Sequence, residues 1–285
     1  ANKLMKGFIG SSNIDTNSRL CMASSVGGHK RAFGTDTVPG CYEDLELADL
    51  VVMVGSNFAW CHPVLHQRLL EAKEARGTKL IVIDPRQTAT TGAADLHLAI
   101  KPGGDVALFN WLFWKLAQSS ALDEQFVGEH TNGTSEALIS ACEISHQVCR
   151  DLTGLSQHAL DAFFVYVRDT PKTMTIYSQG VNQSSAGSDK VNAIVNTHLV
   201  TGRIGKPGAG PFSITGQPNA MGGREVGGLA NQLAAHMDHT DADLNRVARF
   251  WSAPNMTSGQ GLKAIDMFDA VHEGKIKAIW IMATN

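Results

Sequence analysis

The apolar positions of this chain fall into two spacings. The run Leu50-Val51-Val52-Met53-Val54 is wholly apolar, largely β-branched, and stops at Gly55-Ser56-Asn57, as a strand buried on both faces does where it enters a loop. The next apolar residues, Val64, Leu65, Leu69 and Ala72, return at helical intervals, with Pro63 suited to a first turn and Gly77 to a C-terminal cap. A second strand is predicted over Lys79–Ile83, closing at Asp84-Pro85-Arg86. Strand, helix and strand make a βαβ unit, whose crossover should be right-handed and whose ligand-facing loops should follow the strand C-termini. Residues 96–100 are a candidate third strand, and Asp105 is a candidate cap for a helix over 106–116. Residues 122–169 read as helices, in which Cys142 and Cys149 take the place of small core residues. At Thr173 the pattern restarts with a strand over Thr173–Tyr177, a loop over 178–187, a helix over 189–201 and a glycine-rich stretch over 202–228. The last element, 276–282, again has the composition of a buried strand. The expected class is α/β, with two Rossmann-like parallel-sheet domains, residues 1–172 and 173–285.

Composition narrows the function. With 43% hydrophobic and 18% charged residues over 285 positions, the chain can bury a large core. A net charge of −3 without blocks of like charge gives no footprint for nucleic acid or an anionic membrane. The longest apolar runs fall far short of the roughly 20 residues that a membrane helix needs. Five cysteines without a C-x-x-C pair argue against a disulfide scaffold and a zinc ribbon, and fit a reducing compartment. The start lacks an initiator Met and a signal-peptide layout, and Asn285 directly follows an apolar run, so both ends are expected to be cut from a longer protein.

The polar residues at the strand ends suggest a nucleotide-type ligand, since short side chains and backbone N–H groups there can cradle phosphate. No G-x-G-x-x-G follows the first strand and no G-x-x-x-x-G-K-[ST] is present, which weakens ordinary NAD and ATP readings. Asp84 is open to two roles: an acceptor for a ribose or guanine edge, or the opener of a turn before Pro85. His62 and His66 stand four apart without the Glu of H-E-x-x-H, and His236 and His239 lack an evident third ligand, so a zinc hydrolase is disfavoured. Cys21 differs from the other cysteines in its polar surroundings and in the neighbouring Arg19, because a nearby cation favours the thiolate that binds soft metals or attacks electrophiles.

Taken together, seven segments resemble the molybdenum bis-molybdopterin guanine dinucleotide (bis-MGD) family, and within it the assimilatory and periplasmic nitrate reductases. They are Asn17-Ser18-Arg19-Leu20-Cys21-Met22-Ala23-Ser24, Gly40-Cys41-Tyr42-Glu43-Asp44, Gly55-Ser56-Asn57, Asp84-Pro85-Arg86-Gln87-Thr88, Lys101-Pro102-Gly103-Gly104-Asp105, Gln179-Gly180-Val181-Asn182-Gln183, and the stretch from Thr215-Gly216-Gln217-Pro218-Asn219 through Arg224 to Gly228. Each is weak alone, and their order is specific. The resemblance implies a molybdenum-bound thiolate from Cys21, with Met22 and Arg224 lining the substrate approach. It also implies guanine dinucleotide contacts from Val54, Gly55, Ser56, Asn57 and Cys61, from Asp84, Pro85, Arg86 and Gln87, and from Gly103, Gly104 and Asp105. Asn17, Gln179, Gln183 and Asn285 match further positions near the pterins.

The implied reaction is reduction of nitrate to nitrite. Its electrons would come through a 4Fe-4S cluster, whose ligands lie outside this stretch, from a ferredoxin, a flavodoxin or a nicotinamide-dependent partner. Two alternatives accompany it. Formate dehydrogenases of the family usually carry His where this chain has Met22 and Ser184, and complex I contains a subunit of this fold without molybdenum chemistry. Wording such as Asn182-Gln183-Ser184-Ser185 resembles the assimilatory, cytoplasmic enzymes more than the periplasmic ones.

Overall fold

The computed structural model describes residues 1–215 and 220–282, apart from the side chain of Met221. Two compact units are present, Ser24–Gly216 and the pair of segments Ala1–Ala23 and Gln217–Asn285.

The larger unit is built on one five-stranded sheet, all of it parallel, in the order β3-β2-β1-β4-β5. Before the sheet comes helix α1 (Ala23–Phe33). Strand β1 (Leu50–Val54) is buried along its whole length. Its alternate residues serve two cores, with Leu50, Val52 and Val54 on one face and Val51 and Met53 on the other. Period-two alternation explains why the run is apolar throughout: a strand covered on both faces has no solvent side to mark. Burying each such side chain contributes about 1.5–3 kcal/mol. Helix α2 (Pro63–Arg76) starts with Pro63 and stops at Gly77, whose φ of 77° closes the last turn by an N–H bond to the Lys73 carbonyl at 2.9 Å. Strand β2 (Lys79–Ile83) then pairs with β1 from Leu50↔Lys79 to Val54↔Ile83.

Strand β3 (Leu96–Leu98) is shorter than the expected 96–100, although Ile100 still packs into the core. Helix α3 (Asp105–Ala117) corrects the capping expectation. Gly104 occupies the cap position, and Asp105 is the first helical residue. Its carboxylate is held instead by Lys190 at 2.8 Å, and a negative charge in a first turn suits the helix dipole. Four helices follow, Glu124–His130, Thr134–Ala141, His146–Thr153 and Gln157–Asp169. Cys149 is buried among them as expected, whereas Cys142 is exposed at a helix end with its thiol on the Ile139 carbonyl.

Strand β4 (Thr173–Tyr177) pairs with β1, and helix α4 (Gly187–Val200) follows. Residues on both sides of position 172 therefore share one sheet, and the two expected halves are not separate sheets. Strand β5 (Gly210–Ser213) lies inside the stretch read from sequence as a glycine-rich loop. Gly-Pro-Phe-Ser has a weak strand signal, and Pro211 is tolerated because β5 is an edge strand.

The smaller unit contains a π-helix at Leu4–Ile9, helices Asp241–Trp251 and Ala264–His272, and a small core of Leu233, Val247 and Trp251. The strand expected over 276–282 does not form among its described residues. Ile279, Trp280, Ile281 and Met282 are exposed, and the unit's described residues include no other strand to pair with. No helix of the described residues is long and apolar enough to cross a membrane.

Candidate functional site

Parallel pairing ends all five strands of the larger unit at one edge: Val54 lies opposite Ile83 and Tyr177, Ile83 opposite Leu98, and Tyr177 opposite Ser213. The chain runs from β1 outward to β2 and β3, then returns to place β4 and β5 on the other side of β1. The loops leaving β1 and β4 consequently diverge, and such a switch point is where open α/β sheets bind ligands.

Two glycines meet there. Gly55 has φ +55°, and a Cβ on it would stand 2.6 Å from the Gly180 Cα. The Gly180 N–H donates to the Gly55 carbonyl at 3.0 Å, while Gly55 N–H donates to Ile83 at 2.9 Å. A side chain at either position would have to occupy backbone. Ser56 follows with 2% exposure, and among the described residues its hydroxyl has no hydrogen-bond partner. Asn57 is fixed by Thr90, whose hydroxyl donates to the Asn57 carboxamide oxygen at 3.2 Å and accepts the Ala59 N–H at 3.1 Å. Cys61 ends the single turn Phe58–Cys61 and is exposed. Burial lowers the His62 imidazole below its ordinary range, opposed by a hydrogen bond to the backbone of Thr215 just past β5, and burial also lowers His66.

Asp84 accepts the Arg86 N–H at 3.1 Å, which gives it the turn-opening role, while Pro85, Arg86 and Gln87 are exposed. Gly103 turns at φ +89° ahead of buried Gly104 and Asp105. Gln179 is half-buried and Gln183 exposed at the two ends of the turn after β4. Every sequence-derived site residue from Val54 to Gln183 thus belongs to the C-terminal edge of one sheet. Lys190 was missed. Its 5% exposure, 2.8 Å pairing with Asp105 and 3.2 Å bond to the Gly180 carbonyl tie two of these loops together. The available signal was a lysine set within the apolar spacing of a helix.

In the smaller unit, Cys21 ends the single turn Ser18–Cys21, with its N–H on the carbonyl of exposed Asn17 at 3.1 Å. Cys21 is 7% exposed and Met22 wholly buried. Arg19 does not serve as a spare cation beside Cys21. Its guanidinium is spent on Asp15, at 2.9 and 3.3 Å, and on Asn231. Arg224 is buried in the helix Ala220–Glu225, whose continuation is held by Gln232 donating to the Arg224 carbonyl. Lys6, completely buried, donates to the carbonyls of Gly227, Leu229 and Gln232 at 2.7, 2.7 and 2.6 Å. Burial brings its ammonium down to about 8, with Asp15 opposing. Lys6 and Gln232 also escaped the sequence reading, because neither stands in a recognisable spacing. Asn285 and residues 216–219 of the quoted motif lie outside the described residues.

Comparison with known proteins adds to this geometry. The Molybdopterin oxidoreductase family matches residues 1–285. A nitrate reductase of Shewanella frigidimarina (strain NCIMB 400) is 52% identical over all of this chain and 31% of its own length, and one of Klebsiella oxytoca is 52% identical over all of this chain and 32% of its own. A periplasmic nitrate reductase of Desulfovibrio desulfuricans (strain ATCC 27774 / DSM 6949 / MB) is 34% identical over the whole chain and 40% of its length. The chain therefore spans roughly a third of the curated relatives it matches best among these. Acetylene hydratase from Pelobacter acetylenicus shares the fold, with a TM-score of 0.59 and 22% identity over 68% of this chain and 26% of that one.

Proposed function

Because the chain belongs to the molybdopterin oxidoreductase family, we propose that it is the cofactor-holding portion of a nitrate reductase, which converts nitrate to nitrite and water with two electrons and two protons. The observation that carries this reading is 52% identity to nitrate reductases along the entire chain.

The residues present fit a molybdenum bis-MGD cofactor. At the sheet edge, a buried Ser56 hydroxyl without a hydrogen-bond partner among the described residues, the loop at Gly103, and the exposed Gln87 and Gln183 offer small polar groups of the kind a dinucleotide needs. Val54, Gly55, Asn57, Cys61, Asp84, Pro85, Arg86, Gly104, Asp105 and Gln179 complete that proposed set, with Asn17 and Asn285 toward the pterins. Cys21 is the soft donor suited to molybdenum. When bound, the cofactor supplies the two-electron oxygen-transfer chemistry. Arg224, a permanent planar cation, matches a trigonal oxyanion such as nitrate and neutralises its charge, while buried Met22 keeps water from its surroundings.

In the full enzyme a 4Fe-4S cluster, held by residues outside this stretch, would supply the electrons one at a time from a ferredoxin, a flavodoxin or a nicotinamide-dependent partner. Free and partly exposed cysteines support a reducing, cytoplasmic setting and an assimilatory role.

The test uses the full-length enzyme, purified anaerobically, assayed for molybdenum, guanine nucleotide, and nitrate and formate turnover. Removing even outer partners of a metal costs about 10–100-fold, so Cys21→Ser should lower nitrate turnover by more than about 100-fold. Formate oxidation without nitrate reduction would transfer the reading to formate dehydrogenase. A folded enzyme without molybdenum would transfer it to the non-catalytic relative.

A further inference from the structure

A buried cation in the first turn of a helix is disfavoured twice, by desolvation and by the helix dipole. Lys190 occupies such a place, in the first turn of α4 with 5% exposure, so its partners must account for it. The ammonium has three N–H donors. One goes to the Asp105 carboxylate at 2.8 Å, on the first residue of α3 where the loop after β3 ends, and one to the Gly180 carbonyl at 3.2 Å, in the turn that follows β4. Gly180 in turn lies against Gly55, on the loop that follows β1. A single side chain thus joins two of the segments at the switch point, and the second of them, through Gly180, abuts a third.

We propose that Lys190 is a positioning residue of the dinucleotide crevice: it clamps Asp105 to Gly180 and so sets the spacing of the loops that grip the nucleotide. This rests on the cofactor reading above. The argument is geometric. Neither the Asp105 loop nor the Gly180 loop is tied to the other by a backbone ladder, since β3 and β4 stand on opposite sides of the β2–β1 pair. Packing of α4 along α3 holds the two helices together. The Lys190 bridge adds the charge-assisted contact that ties the Asp105 carboxylate to the Gly180 carbonyl, and a displacement of about 1 Å in such supports is enough to cost a site much of its function.

The test compares the wild-type full-length enzyme with Lys190→Met, Lys190→Arg and Asp105→Asn. Guanine nucleotide and molybdenum retained per chain are measured after dialysis, and thermal unfolding is measured on cofactor-free protein. Lys190→Met should retain about tenfold less nucleotide than wild type, Asp105→Asn should fall between them, and Lys190→Arg should recover most of the loss. A purely structural lysine would lower the unfolding temperature of the cofactor-free protein without changing retention by the fraction that folds.

Equal nucleotide retention by wild type and folded Lys190→Met overturns the clamp while leaving the cofactor reading intact. Should Lys190→Met fail to fold, full retention by Asp105→Asn overturns the clamp in the same way. A wild-type enzyme that carries no guanine nucleotide overturns both.

Discussion

The two units hold their candidate residues by different means. In the larger one, the loops at Gly55, Asp84 and Gln179 leave strands whose registers are fixed by consecutive backbone pairs and by apolar faces buried on both sides. In the smaller one, Cys21 and Arg224 sit on short helical pieces joined by irregular chain, and polar side chains hold those segments: Lys6 donates to three backbone carbonyls, Gln232 to that of Arg224, and Arg19 to the Asp15 carboxylate and the Asn231 side-chain oxygen. A sheet distributes positional control over many weak contacts. An irregular loop concentrates it in a few buried polar ones, each costly to lose.

The sharpest way to break this contrast is Lys6→Met, which strands three carbonyls in a dry interior. It should destabilise by about 4 kcal/mol in urea denaturation, since each unsatisfied buried group costs about 1–3 kcal/mol. A cost below about 1 kcal/mol would show that the loop is held elsewhere. Next comes Gly55→Ala. It puts a side chain at φ +55° and 2.6 Å from backbone, and should cost about 2–3 kcal/mol by the same measurement, with nucleotide retention falling alongside. Loss of stability without loss of nucleotide would separate the glycine contact from the crevice.

The smallest effect concerns pH. Lys6 holds its proton less tightly when folded, near 8, than the ordinary 10.5 of an unfolded chain. Between those values the unfolded state binds more protons, so this group makes stability rise with pH across that window and is neutral in effect above it. The wild-type enzyme should show that upward slope relative to Lys6→Met. Parallel profiles would remove Lys6 from the charge balance.

Much of the larger unit was legible in sequence because its signals are local. The run Leu50–Val54, the β2 run and the Pro63-to-Gly77 helix carry their own boundaries, and the loops that follow them inherit a position at the sheet edge. What stayed hidden depends on partners remote in sequence. Strand β5 exists because β4 offers it an edge, while the equally strand-like 276–282 finds no strand to pair with among the described residues of its unit. Asp105 was read as a cap because the spacing of a helix start is visible, whereas Lys190, its actual partner, lies far along the chain. The same holds for Arg19, whose charge is taken by Asp15 and which sequence alone left beside Cys21 as an available cation.

The contact between Gly55 and Gly180 also has a genetic side. A damaged packing site is often repaired by shrinking the neighbour, but here the neighbour already lacks a side chain, and what it presents is main chain. A lineage that loses the glycine at 55 has no second-site suppressor to find at 180, and only reversion restores the fit.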